Sequence, residues 1–240
     1  MAGGKTVIVT GASQGIGAAI VQVFLDRGYQ VVATARTMST AGFAKSPNLV
    51  LVGGDIGQAT TAEEVAEAAI KAFGTINHVV NNAGIFSTKP FTDYTAEDFQ
   101  AFVSTNLGGF LFITQLAVKQ MLLQGTGGSV TSITASLADN PMAGTHASVP
   151  MITKGGLNTI TRSLALEYAK HDIRFNAVAP GQVDTPLHRE TPKEIMRTLS
   201  PMGAIADAKD IAGAVVYLAE ARYITGEVLH VDGGAHVGRW

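Results

Sequence analysis

Short runs of β-branched and apolar residues alternate with stretches of helical period along the whole chain, and few architectures accept that order. Strand-like runs occupy Lys5–Thr10, Gln30–Ala35, Asn48–Val52, Ile76–Asn81, Gly128–Ile133, Ile173–Val178 and Glu227–Val231. Between them, apolar residues recur at helical spacing in Gly15–Arg27 (Ile16, Ile20, Val23, Phe24), Thr61–Phe73, Ala96–Leu123 (Phe99, Phe102, Phe110, Ile113), Met151–Ala169 and Asp207–Ala219. Strands that alternate with helices pair in parallel, and a parallel sheet needs both faces covered. Right-handed crossovers then give an α/β, doubly wound, seven-stranded parallel sheet. No linker or repeat divides it, so 1–240 is read as a single domain. Gly28 is placed to end the first helix in the left-handed conformation. Thr60 or Thr61 is placed to cap the second, with Glu63 and Glu64 near its positive end. Pro186, Pro192 and Pro201 mark 185–202 as a loop with short helices.

Composition narrows the function classes. Charged residues make up 15% of the chain, against about 25% in ordinary domains. That shortfall, with 46% hydrophobic residues, excludes disorder and points to surface buried between subunits. A net charge of −2 provides no basic field for nucleic acid. With no cysteine there are no disulfides, thiolate metal sites or thiol nucleophiles. The six histidines form no i, i+4 pair and no HExxH, so no metal is expected. The sequence shows no signal-peptide h-region and no unbroken apolar run of about 18 residues. A cytoplasmic protein with no membrane partner is the expectation.

The first strand-to-helix turn reads Thr10-Gly11-Ala12-Ser13-Gln14-Gly15-Ile16-Gly17. Glycines there permit a tight turn and let a pyrophosphate approach the backbone; the helix N-terminus offers N–H donors to an anion. A plain glycine-rich turn has the same look. Other segments accompany it in order: Asn81-Asn82-Ala83-Gly84, Thr105-Asn106-Leu107, Asn176-Ala177-Val178-Ala179-Pro180-Gly181, and Ile224-Thr225-Gly226 through Val231-Asp232-Gly233-Gly234. Together they resemble the short-chain dehydrogenase/reductase family, with its TGxxxGxG and NNAG motifs, over nearly the whole chain. The resemblance implies a Rossmann-like fold and hydride exchange between a nicotinamide and a small carbonyl or alcohol. It also implies dinucleotide contacts at Gly11, Ser13, Gln14, Gly15, Ile16, Gly17, Asp55, Ile56, Asn82, Ala83, Gly84, Lys154, Pro180, Gly181, Val183 and Thr185. Asp55 could equally cap a turn. At the end of the second strand an NAD site wants an acid, and this chain has Ala35 followed by Arg36. A guanidinium there suits a 2′-phosphate, so NADP(H) is preferred while NAD(H) stays open.

The resemblance also implies a proton-donating tyrosine four residues before a lysine, a serine that polarises the carbonyl, and an asparagine. Asn106 and Lys154 match. The position four before Lys154 is Pro150, and no tyrosine lies between Tyr94 and Tyr168. The serine position falls on Ala135; Ser136 follows, one residue further from Pro150 than the family spacing. Proline moves no proton but is comfortable in a first helical turn, with Ser148 as the cap. Candidates to replace the acid are His146, Ser148, Thr153 and Lys154 itself, if a dry site lowers its pKa. Catalysis is therefore placed on Lys154 and Asn106, with Ser136 and His146 as further candidates. The first reading is an NADP(H)-dependent oxidoreductase with an atypical site. A nucleotide-binding redox sensor or interaction protein without turnover is the alternative, and an enzyme reducing activated alkenes is a third. Residues 139–148 and a lid at 185–202 should wall the substrate, including Met142, Leu187, His188, Met196 and Leu199. The two apolar helices, and the tail to Trp240, predict a homo-oligomer, a tetramer or a dimer.

Overall fold

A computed structural model describes residues 4–38 and 42–238. The strands are β1 Thr6–Thr10, β2 Gln30–Ala35, β3 Leu49–Gly53, β4 His78–Asn81, β5 Gly128–Ile133, β6 Ile173–Pro180 and β7 Val228–Val231. The helices are α1 Gly15–Asp26, α2 Ala59–Phe73, α3 Ala96–Phe102, α4 Gly109–Gln124, α5 Ser148–Tyr168, α6 Lys193–Thr198 and α7 Ala208–Glu220. All seven strands form one sheet in the order β3-β2-β1-β4-β5-β6-β7, every neighbouring pair parallel. This is the doubly wound, Rossmann-like sheet that the alternation implied.

β1 shows why the sheet is covered twice. Its residues are all buried, and successive side chains point to opposite faces. Val7 and Val9 join Ile20 and Phe24 of α1 and Ile211 and Val215 of α7 in one core. Ile8 joins Val65 of α2, Ile113 of α4 and Leu157 of α5 in the other. Each such side chain, fully buried, contributes about 1.5–3 kcal/mol. Order reverses at β1, which pairs with β2 on one side and β4 on the other. A crevice at the carboxyl ends of these strands is where open α/β sheets hold ligands.

Several boundaries differ from expectation. α2 starts at Ala59 with Gln58 before it, so neither threonine caps it and neither Glu63 nor Glu64 lies in its first turn. Thr61 is buried against Gly54 instead. α5 starts at Ser148 itself, so Ser148 does not cap it; Ala147 occupies that place. The run read as one helix over Ala96–Leu123 is interrupted by a π-helical turn, Val103–Gly108. The combined run Ala96–Gln124 is long and apolar enough to cross a membrane by length and composition. Here its Phe102, Phe110, Ile113, Ala117 and Met121 are buried. Gly28 does adopt the left-handed conformation after α1, with φ 79°. Segment 185–202 holds a 3₁₀ turn, Pro186–His188, and the short α6. The tail to Trp240 ends outside the described residues.

Candidate functional site

The glycine loop leaves β1 at the point where the strand order reverses. Gly11 takes φ 65°, and a Cβ on it would lie 2.7 Å from the Cα of Ala83. A Cβ on Gly17 would lie 2.2 Å from the Gly11 carbonyl oxygen, so α1 can start this close to the loop only with glycine there. Thr10 locks the loop to the segment after β4. Its Oγ1 accepts the backbone N–H groups of Asn82 (3.1 Å) and Ala83 (3.0 Å). Asn82 answers with Nδ2, which donates to the carbonyls of Thr10 (2.9 Å) and Gly11 (3.1 Å). Gln14 precedes α1 without a side-chain capping bond, and no acid stands in the first turn. Thr185 lies over Gly15, 3.3 Å from where a Cβ would project. The first N–H groups of α1 therefore face a small-residue cradle with positive dipole potential, which suits a pyrophosphate. The residues present fit a dinucleotide.

The remaining expected contacts fall on the same carboxyl edge. Arg36 follows β2 and is exposed. Asp55 follows β3; its Oδ1 accepts the Gly57 N–H at 3.0 Å, so it does close a turn, while staying exposed. Ile56 is buried beneath Gly109 of α4. Pro180 ends β6, Gly181 packs on Asp232, and the Val183 side chain enters the core beside α1 and α7.

A second cluster sits beside Gly84. The π turn aims Asn106 inward. Its Oδ1 accepts the Ile85 N–H (2.8 Å), and its Nδ2 donates to the Ile85 carbonyl (3.2 Å) and to Thr153 Oγ1 (3.0 Å). Thr153 in turn donates to the Pro150 carbonyl at 2.8 Å. π turns interrupting α-helices often mark functional sites. Lys154 Nζ donates to the Ile133 carbonyl at 2.8 Å. A Cβ on Gly84 would lie 3.1 Å from that Nζ and 3.3 Å from Asn106 Oδ1. Burial pushes the Lys154 ammonium down to about 8.

The hydrogen bonds of two expected residues go elsewhere than this cluster. Ser136 is buried and donates to Asp232 Oδ2 at 2.5 Å. Asp232 also accepts the His236 N–H (2.9 Å) and the Gly234 N–H (3.0 Å). The proton of Ser136 thus serves the loop after β7. Asp232 itself is held below the usual carboxylate range by these hydrogen bonds, against the opposing effect of burial. His146 is exposed, and its carbonyl accepts from the Lys89 N–H and the Tyr94 hydroxyl. Among the lid residues, Met196 is buried, Leu187 is exposed, and burial lowers the pKa of half-buried His188.

Comparison with known proteins agrees with this geometry. The family model described as enoyl-(acyl carrier protein) reductase matches residues 11–236. This chain is a member of the short-chain dehydrogenase/reductase family. An L-rhamnose 1-dehydrogenase (NAD(P)(+)) of Azotobacter vinelandii is 36% identical, over 97% of this chain and 97% of that protein. The 3-ketoacyl-(acyl-carrier-protein) reductase of Brucella melitensis, solved with NADH, is 28% identical at a TM-score of 0.91. The match covers 98% of this chain and 99% of that one. ElxO with NADP bound is 27% identical at a TM-score of 0.91, covering 98% of this chain and all of the other.

Within this dehydrogenase/reductase, Pro150 is the third residue of α5 and is buried, presenting only ring carbons where the family motif has a phenol. Ala135 has extended backbone and opens the 3₁₀ turn Ser136–Ala138. Thr153 is the member of the cluster whose positioning role the sequence did not show. Its only sequence signal was its place beside Lys154.

Proposed function

We propose that this chain is an NADP(H)-dependent oxidoreductase acting on a small carbonyl or alcohol through an atypical site. The observation that carries the reading is the paired cradle and cluster: glycines 11, 15 and 17 under Asn82 and Thr185, with Lys154 and Asn106 beside Gly84. The bound nicotinamide would supply or take the hydride. The glycine loop and the N-terminus of α1 would hold the pyrophosphate. Arg36 would clamp a 2′-phosphate, because its exposed guanidinium follows β2 where a carboxylate would select the free ribose hydroxyl. Asn106 would brace the segment after β4 against α5. Relatives solved with NADP and with NADH, and one named for both cofactors, make either cofactor reasonable for the fold; Arg36 tips the choice toward NADP(H).

A second reading is favoured by Pro150 and Ala135, which remove two hydroxyls that the family motif implies. On it, the chain binds the nucleotide as a redox sensor or an interaction partner without turnover. One experiment separates the two. NADPH binding followed by its own fluorescence is paired with turnover on diacetyl, ethyl acetoacetate, the corresponding alcohols and a simple enone. Binding with turnover supports the oxidoreductase. Binding without turnover supports the sensor, and no binding removes both.

A further inference from the structure

Among the described residues, nearly every proton-bearing side chain around the cluster is already engaged. Thr153 Oγ1 donates to the Pro150 carbonyl and accepts from Asn106, so both of its roles are filled. The Asn106 amide is spent on Ile85 and Thr153. The Thr10 hydroxyl donates to the Val80 carbonyl while accepting two backbone N–H groups. Ser136 donates to Asp232, and the Tyr94 hydroxyl is held between the carbonyls of Ser87 (2.9 Å) and His146 (3.2 Å). His146, on the stretch that leads into α5, and Ser148, the first residue of that helix, are exposed.

Lys154 is different. An ammonium has three donors, and among the described residues Nζ makes one hydrogen bond, to the Ile133 carbonyl. No carboxylate pairs with it among the described residues. It nevertheless lies just beneath Gly84, whose backbone is exposed. Pro150, one helical turn earlier on the same face of α5, puts no donor between Nζ and a ligand lying over that turn.

We propose that the Lys154 ammonium is itself the proton donor to the substrate oxygen. This rests on the oxidoreductase reading above and adds the identity of its acid. In the reducing direction one N–H bond of Nζ breaks and an O–H bond forms on the substrate oxygen. The carbonyl carbon is reduced by the hydride of the reduced nicotinamide, which is oxidised. Lys154 is left as a neutral amine and takes a proton back from water. Burial without a counter-ion, which brings this ammonium to about 8, favours such a donor near neutral pH.

The test has a spectroscopic part and a kinetic part. In protein labelled with ¹³C at lysine Cε and free of cofactor, one lysine signal should titrate with a midpoint of about 8. That signal should be missing from Lys154→Arg. In diacetyl reduction with NADPH, kcat/KM should fall about tenfold per pH unit above that midpoint. Lys154→Arg keeps a cation that cannot release its proton. It should still bind NADPH while losing about 10²-fold or more in turnover. Adding Pro150→Tyr to that variant supplies a new acid and should restore part of the rate. The proposal is overturned if Lys154→Arg turns over normally, or if it loses NADPH binding and turnover together and Pro150→Tyr rescues neither. A parent that binds NADPH but reduces nothing also overturns it, leaving cofactor binding intact. A parent that binds no NADPH overturns the oxidoreductase reading beneath it as well.

Discussion

A proline at the third residue of α5 costs that helix no hydrogen bond, because the N–H it lacks would have had no partner inside the helix. Chemical loss and structural comfort thus coexist at position 150, and the site can be rebuilt without unmaking the helix. Pro150→Tyr returns a phenol one turn before Lys154. Ala135→Ser adds a hydroxyl at an extended residue that needs no strain to carry it. Placed in the Lys154→Arg background, the double variant should raise diacetyl reduction about tenfold or more over that variant, with NADPH affinity unchanged. Steady-state kinetics beside a fluorescence titration checks this, and unchanged turnover with intact binding would mean the site lacks more than its phenol. Arg36→Asp addresses the other decisive residue. Replacing a phosphate clamp by a repelling charge should weaken NADPH by about 10–100-fold and NADH far less. Equal losses, measured by titrating both nucleotides, would show that Arg36 never meets the 2′-phosphate.

β4 carries a titratable side chain into the base of the sheet. His78 is buried, with Nδ1 2.8 Å from Ser129 Oγ, the Tyr29 ring 5.7 Å away, and Nε2 without a hydrogen-bond partner among the described residues. Burial above all, then the charges of Lys5 and Arg174, lowers its pKa from 6.5 to about 3. Between those values the unfolded chain binds a proton that the folded chain refuses, so stability is lost as pH falls from 6.5 toward 3. His78→Asn keeps a polar atom toward Ser129 but does not titrate. Its thermal midpoint should decline less than the parent's from pH 6.5 downward, and parallel declines would mean other groups govern acid unfolding. Elements such as β4 were legible because strands buried on both faces leave an apolar run that turn residues bound. The starts of α2 and α5 and the π turn were not, because long-range contacts set them. Thr61 looks like a cap in sequence but is held under Gly54. Asn106 is drawn inward by Ile85 and Thr153, the latter 47 residues away. In the site the same division holds. The glycine turn was readable from local spacing and Asn82 through the resemblance of its segment to the family's NNAG, whereas the diversion of Ser136 to Asp232 spans 96 residues and leaves no local mark.

Exposed apolar side chains gather on one face of the folded molecule. One side of the sheet presents α4 and α5 next to each other, and between them runs a groove of about 290 Å³ lined by Phe110, Leu111, Val118, Leu122, Ile160 and Leu164, with Gln115, Lys119 and Glu167 among them. Leu111 and Leu122 are 42% and 39% exposed, and Leu123 and Leu166 at the outer ends of the two helices exceed 80%. Monomers rarely leave apolar patches larger than a few hundred Å² in water. A second copy of this chain, related by a two-fold axis, would lay the same two helices across the groove and make a self-complementary contact. The expected particle is therefore a dimer or tetramer of the 24.9 kDa chain. Leu122→Glu with Leu166→Glu places charge on that face without touching the core, so the fold should persist while the contact is lost. Light scattering at micromolar concentration should give a multiple of the chain mass for the parent and the single chain mass for the variant, with the same circular dichroism. A monomeric parent would refute the assembly outright; an oligomer that survives both glutamates would move its interface away from α4 and α5.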